Sequence, residues 1–488
     1  GRSGFSSSND EATAAYSSTN QAILFRKQFV VANPAAVKWL VLRLDFSSGF
    51  VAYLNGTEIA RANLAGDLVP VDARATRSRA RGVAQDINVS GFAPLLNSGT
   101  NVLAIQLHGG PSLAGALVLV PELLANFQRG PCAQTTATNQ AQVVWRTPVP
   151  AYSEVSYWNT DDYVITVSSR RLTTNHALTL SHLEPDTRYF YQVRSQAGGI
   201  EAESPVFSFR TLKTSGDLSF AVFGDSGGGF AAQFQLADVM AALEPDLVLH
   251  VGDITYPNFH PGYADTRCLS VYGAQMRGTP FYFTPGNHEL YSGTDQHYLD
   301  AFYLPTNSAT GTEHFYSFDH GDAHFVSLCV PSRTPFVAIA PYRLDIGSTQ
   351  YQWLTNDLAR SDKPWNILFL HCPLFSSSAH RWDDYDSNLI LDRIELQNIL
   401  MPVAKQYGVQ AMFAGHDHNY ERLMPVEGVH AFVSGGGGYT LYHLTERDAA
   451  SVQFWYTHQC LRVQIRGDTL TLRSEEHTSE LQSRSDLV

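Results

Sequence analysis

Long apolar runs are missing from this chain: no stretch approaches the roughly 20 residues that a membrane-spanning helix needs. Cysteine is scarce. The five residues, at 132, 268, 329, 372 and 460, are odd in number and lack the CxxC spacing of a thiolate metal site. Buried thiols, with at most one or two bridges, are the expectation. Positive charge is in the minority, 33 Lys and Arg against 46 Asp and Glu, for a net charge of −13. That balance argues against a nucleic-acid surface, whose phosphates would be repelled. It leaves small anionic ligands open, because bound cations reverse a local field. The chain begins Gly1-Arg2-Ser3, without an initiator Met or a signal peptide. It is expected to start partway through a longer protein, so the missing signal says nothing of location.

What is present suits a large folded protein. Of 488 residues, 44% are hydrophobic and 12% aromatic, enough for about three domains. Residues 1–127 read as all-β. Two alternating stretches, 41–45 and 50–54, precede the hairpin signal Asn55-Gly56, and a further strand covers 101–107. The Arg-rich segment 72–81 reads as a solvated loop. This region resembles the galactose-binding-like β-sandwiches appended to secreted enzymes, which leaves carbohydrate binding and a plain spacer both open.

Residues 128–213 read as a second sandwich. It has a core Trp145, and its segment Leu183-Glu184-Pro185-Asp186-Thr187-Arg188-Tyr189 follows the fibronectin type III pattern. Thr214-Ser215-Gly216 is the expected linker. From 214 to 472 apolar strands alternate with helical stretches at 230–243, 348–360 and 391–407, the last containing Pro402, which indicates an α/β layered domain. The run Gly227-Gly228-Gly229 lacks both the Lys-Ser/Thr of a P-loop and GxGxxG spacing, and is read as a flexible turn. Residues 473–488 are similar to a translated sequencing adapter and are set aside as a non-native tail.

Five apolar strands in this last region each lead into Asp, Asn or His. Residues 220–224 lead to Asp225, and 247–251 to Gly252-Asp253-Ile254-Thr255-Tyr256. Residues 281–284 lead to Gly286-Asn287-His288-Glu289, 367–370 to His371, and 411–413 to Gly415-His416-Asp417-His418. Ligand-bearing side chains at the carboxyl ends of strands are where an open α/β sheet meets its ligand. His416 and His418 alternate along a segment read as extended, so they point the same way.

The ordered set GDSG, GDITY, GNHE, a lone His and GHDH resembles the metallophosphoesterase superfamily, and within it the purple acid phosphatases. The resemblance covers about the last half of the chain; the fibronectin-like segment resembles the N-terminal domain of the same family. It implies a multidomain fold of two N-terminal all-β sandwiches followed by an α/β layered metallophosphoesterase domain. It also implies two metal ions bridged by Asp253. Asp225, Tyr256 and His418 would complete a site suited to Fe(III); Asn287, His371 and His416 would complete one suited to Fe(II), Zn(II) or Mn(II). The implied activity is hydrolysis of phosphate monoesters, with a metal-bound hydroxide as nucleophile.

Further roles follow from the resemblance. Asn287, His288, His380 and Arg381 are expected at the phosphate, and His288 and His380 as proton donors. Plant members carry a His pair where this chain has His380-Arg381. Arg is a poor acid but can clamp phosphate, so the identity of the general acid stays open. Glu421 and Arg422 are expected to brace the GHDH loop; Asp417 is given no role. The expected partner is a small phosphate ester, with no nucleic acid, and the expected location is secreted or periplasmic. A phosphodiesterase or nucleotidase on the same scaffold is the first alternative; a carbohydrate- or surface-binding protein with a structural metal domain is the second.

Overall fold

The computed structural model describes residues 5–6, 22–66, 69–79, 84–111, 118–160, 163–330, 343–384, 392–476 and 484–487. Two of the sequence readings, the Arg-rich segment 72–81 and the start of the helix at 391, lie partly outside these residues.

The N-terminal region packs two four-stranded sheets face to face. One contains Leu40–Phe46 and Val118–Ala125; the other contains Gly49–Leu54 and Gly99–His108. Leu42, Leu44, Phe50, Ala52, Ile105 and Leu107 fill the space between them. Asn55 and Gly56 both adopt positive φ, 51° and 89°, as a two-residue hairpin turn requires.

The second region differs from the expected pair of sheets. Its strands hydrogen-bond into one six-stranded sheet. The continuity comes from Gln140–Trp158, which pairs with Arg129–Ala137 through its first half and with Arg188–Ala197 through its second. Both halves contribute to one core, through Val143 and Trp145 and through Val155 and Tyr157. Tyr189 is buried, and its hydroxyl accepts the Glu184 backbone N–H at 3.0 Å, the corner contact that the fibronectin-like pattern implies.

The third region is a two-sheet stack with helices outside. In the first sheet Phe281–Phe283, Leu247–His250 and Leu218–Phe223 run parallel, and Gln459–Arg466 pairs antiparallel with the last. In the second, Ala323–Ser327, Trp365–Phe369, Val409–Ala414 and His430–Ser434 are parallel neighbours. Phe220 of the first sheet meets Phe325 and Phe413 of the second edge-on, with centroids 5.2 and 6.0 Å apart. Leu236 and Met240 of the helix Ala231–Ala242 join this shared core. Thr349–Leu358, capped by the Ser348 hydroxyl, and Asp392–Gln406 cover the second sheet through Leu354, Leu358, Leu396 and Leu400. Parallel order places all the strand carboxyl ends on one edge, and the candidate ligands follow those ends.

One reading changes. The turn at Gly227 is not loose, since a Cβ there would overlap the Ile254 carbonyl oxygen. Of the residues set aside as a tail, 473–476 lie in a strand. These residues continue Thr469–Glu476 against Gln459–Arg466, and Arg484–Leu487 pairs beyond it. Backbone ladder bonds accept almost any side chain, so a polar segment can extend a sheet. None of the five cysteines is in a disulfide, and all are buried.

One carboxylate joins the three regions. Asp265 is 5% exposed and meets Arg129 at 2.8 Å, Arg43 at 3.3 Å and Arg146 at 3.4 Å. Burial opposes its charge, but Arg129 and Arg43 hold the carboxyl below its usual range. Removing a buried partner strands the others. Asp265→Ala should therefore lower the stability by about 3–5 kcal/mol, read as a shifted midpoint in urea unfolding followed by Trp fluorescence. An unchanged midpoint would contradict the role given to this carboxylate.

Candidate metal centre

The ligand candidates converge because tight turns follow the strands. Asp225, Asp253 and His416 all have left-handed backbones, with φ of 57°, 51° and 69°. Such backbones are uncommon outside glycine and concentrate at functional sites. This corrects the extended reading of 416–418, although His416 and His418 still face one cleft. Gly286 is also required: a Cβ there would overlap the Asp253 carboxylate.

Seven side chains meet here, all nearly buried: Asp225, Asp253, Tyr256, Asn287, His371, His416 and His418, none more than 4% exposed. They form two groups that share one member. Asp225, Asp253 and His418 offer ligand atoms within 4.8 Å of one another, and so do Asp253, His371 and His416. The Tyr256 hydroxyl lies in the first group, 3.1 Å from Asp225, 3.2 Å from Asp253 and 3.0 Å from His418. The Asn287 Oδ1 lies in the second, 3.0 Å from His371 Nε2. The Asn287 Nδ2 donates to the Tyr291 hydroxyl at 3.0 Å, which turns the amide oxygen inward.

The proton inventory tests whether cations fit. His371 Nδ1 donates to the Val251 carbonyl at 2.9 Å and His418 Nδ1 to the Thr440 carbonyl at 2.6 Å. Each neutral ring then aims its Nε2 lone pair inward. His416 Nε2 faces the Asp383 carboxylate at 3.2 Å and must carry its proton. Its Nδ1 lone pair therefore confronts His371 Nε2 at 3.1 Å. Two facing lone pairs beside Asp253 and the Asn287 oxygen need a cation between them. In the metal-free cluster a proton fills that need. Burial lowers the His371 imidazole, but the Asp253 charge and hydrogen bond outweigh it and hold it at about 9. His416 is pushed down to about 3 by burial and then by the charge of His380. The donors fit two metal ions.

A second layer of carboxylates, which the sequence reading largely missed, holds the loops. Glu289 accepts the backbone N–H groups of Asp253, Ile254 and Gly286 at 2.9, 2.9 and 2.7 Å. Burial and the charge of Asp253 raise its carboxyl above the usual range. Asp417, given no role from sequence, accepts the His380 backbone N–H at 3.0 Å and the Ser376 hydroxyl. Glu421 takes the Ser377 backbone N–H at 2.9 Å and its hydroxyl, a bracing contact of the kind expected. Two tyrosines also escaped notice. Tyr439 stacks on Tyr256 at 3.7 Å, and Tyr442 on His418 at 4.0 Å. Gly-Tyr-Thr-Leu-Tyr at 438–442 carries no signal that could have found them.

The expected phosphate contacts separate. His288 Nδ1 faces the Pro257 carbonyl at 2.6 Å, and its Nε2 lies 3.7 Å from Asp253. His380 stacks on His416 at 3.8 Å. Burial opposes the His380 charge, but Asp383 and Asp417 outweigh it and raise the imidazole. Arg381 is elsewhere. Its guanidinium is buried, donates to the Glu446 carbonyl and lies over Trp382. In the short 3₁₀ turn Ala379–Trp382, successive side chains diverge by about 120°. His380 reaching the cleft therefore turns Arg381 away, and the clamp expected of it finds no support.

A buried group of carboxylates and imidazoles that fits two cations lies on the carboxyl edge of a stacked α/β domain. The calcineurin-like phosphoesterase family matches residues 218–420, and the purple acid phosphatase N-terminal domain matches 129–211. The chain is 30% identical over 321 residues to acid phosphatase type 7 of Mus musculus, covering 59% of this chain and 69% of that protein. It is 29% identical over 285 residues to purple acid phosphatase 23 of Arabidopsis thaliana, covering 51% of this chain and 57% of that protein. The fold matches a purple acid phosphatase from yellow lupin seeds with a TM-score of 0.65, at 17% identity, over 96% of this chain and 93% of that one. The chain belongs to the purple acid phosphatase family.

Glu289 gives the site its most local test. Glu289→Ala leaves three buried N–H donors without an acceptor, at about 1–3 kcal/mol each. The variant should lose at least about 3 kcal/mol of stability, measured by chemical denaturation of the metal-free protein. A loss below about 1 kcal/mol would mean that water replaces the carboxylate.

Proposed function

We propose that this protein hydrolyses phosphate monoesters at a dinuclear metal centre. The observation that supports it best is the pair of three-residue ligand groups sharing Asp253. Asp225, Tyr256 and His418 would hold one ion; carboxylate and phenolate oxygens suit Fe(III). Asn287, His371 and His416 would hold the other, where imidazoles and an amide oxygen suit Fe(II), Zn(II) or Mn(II). When bound, such ions activate water and neutralise phosphate charge.

The remaining work falls to the chain. Asp253 would hold both ions, and its Oδ1 accepts the His288 backbone N–H at 2.9 Å. His288, with Nδ1 on the Pro257 carbonyl, directs Nε2 into the cleft to bind phosphate oxygen. His380 holds its Nδ1 on Asp383 at 2.8 Å, which leaves Nε2 to protonate the departing oxygen. Tyr439 and Tyr442 support Tyr256 and His418 by stacking on them.

Relatives named acid phosphatase and phosphoenolpyruvate phosphatase support the monoester reading. A secreted or periplasmic location is supported by the family alone. Among the described residues no helix is long and apolar enough to cross a membrane. For residues 1–127 the buried Arg43–Asp265 contact favours a fixed spacer over a free carbohydrate-binding module.

Turnover of aryl phosphate monoesters over diesters, abolished by chelation and restored by metal, tests the reading. Asp253→Asn should leave well under two metals per chain by elemental analysis and abolish that turnover. Two retained metals with normal rates would refute the bridge, and a diester preference would refute the substrate class. His380→Ala should lower kcat for an alkyl phosphate by about 10²-fold. An activated aryl phosphate, whose leaving group barely needs a proton, should lose far less. Equal losses on both substrates would assign His380 to positioning instead.

A further inference from the structure

A third group of ligand-type residues, His380, Asp383 and His416, meets the metal centre through His416, while His380 and Asp383 belong to neither ion. Asp383 Oδ2 lies 2.8 Å from His380 Nδ1 and 3.2 Å from His416 Nε2. The two rings stack at 3.8 Å, inclined by 29°. A carboxylate only accepts, so both nitrogens facing it carry protons.

The consequence differs for the two rings. His416 with its proton on Nε2 has its lone pair on Nδ1, the atom facing His371 Nε2. In the other tautomer a proton would occupy the cation's place. His380 with its proton on Nδ1 is oriented so that Nε2 is its remaining functional atom. The loop is anchored independently of Asp383, since the His380 backbone N–H and the Ser376 hydroxyl both bind Asp417, the residue after His416.

We infer that Asp383 is a positioning residue that sets the His416 tautomer for the second metal and, with the same oxygen, orients His380 as proton donor. This rests on the dinuclear reading above. Asp383 touches neither reacting atom itself. It makes metal retention at one site and protonation of the leaving group depend on one side chain. No reading of spacing alone singles it out.

The test uses metal-depleted full-length protein titrated with zinc(II), with binding followed calorimetrically. Asp383→Ala should weaken the second zinc by about 10–100-fold and leave the first unchanged. His380→Ala should leave both affinities unchanged, which separates the lost hydrogen bond to His416 from the loss of His380. Asp383→Glu, which keeps an acceptor, should recover most of the second-site affinity. Kinetically, Asp383→Ala at saturating zinc should retain the His380→Ala pattern, a kcat loss concentrated on alkyl phosphates. Far-UV circular dichroism and thermal melts establish that each variant is folded. Wild-type affinity for both zinc ions in folded Asp383→Ala would overturn the inference while leaving the dinuclear reading intact. Fewer than two metal ions on wild type offered iron(III) and zinc(II) together would overturn that reading and this inference together.

Discussion

Asp253 is the residue on which the rest of the site depends. It is the only side chain common to both ligand groups, and it is 1% exposed. A charge so placed is costly unless cations and N–H donors surround it. Burial works against its charge, yet His371, His288 and His416 hold the carboxyl well below its usual range. Around it lone pairs face one another, and a proton held by His371 stands where a cation fits. The strain at Asp225, Asp253 and His416 belongs to the same bargain: three left-handed residues aim their side chains inward from the ends of neighbouring strands.

The loops could not keep this arrangement without the carboxylates behind them. Glu289 binds the 252–254 turn to the 286–289 turn. Asp417 and Glu421 bind the 415–421 segment to Ser376, Ser377 and His380. Apart from the Glu289 bond to Gly286 within its own turn, each bond crosses between segments that follow different strands. Buried carboxylates satisfied by backbone N–H groups are rigid supports, because a bond lost there leaves a donor with no water to replace it.

The accessory regions are tied to the same body. Asp265 takes guanidinium partners from the N-terminal sandwich and from the middle sheet. Two residues further on, Arg267 donates to the carbonyl of Tyr256, a candidate ligand. Residues far from the chemistry thus share a short helical segment with a support of the metal site, although no candidate ligand precedes Asp225.

The strand-then-ligand pattern at Asp225, Asp253, Asn287, His371 and His416 could be read from the chain because it is local. A few apolar residues form the strand, and the next polar residue occupies its carboxyl end. The hairpin at Asn55-Gly56 and the corner at Tyr189 were readable for the same reason, since each depends on neighbours within a few residues. The partition of the ligands into two groups depends on parallel strand order across two sheets, which links residues as remote as His416 and Asp225, 191 positions apart and joined by the His416 N–H bond. Asp383, Asp417, Tyr439 and Tyr442 acquired their roles only through such contacts. Arg381 was misplaced because the direction of a side chain in a 3₁₀ turn follows from backbone dihedrals that its neighbours in sequence do not determine. Sequence alone thus determined which residue types stand at the strand ends, a matter of short-range sterics and hydrophobicity. Tertiary structure alone decided which of them lie together, because that depends on distances of a few ångströms between segments remote in the chain.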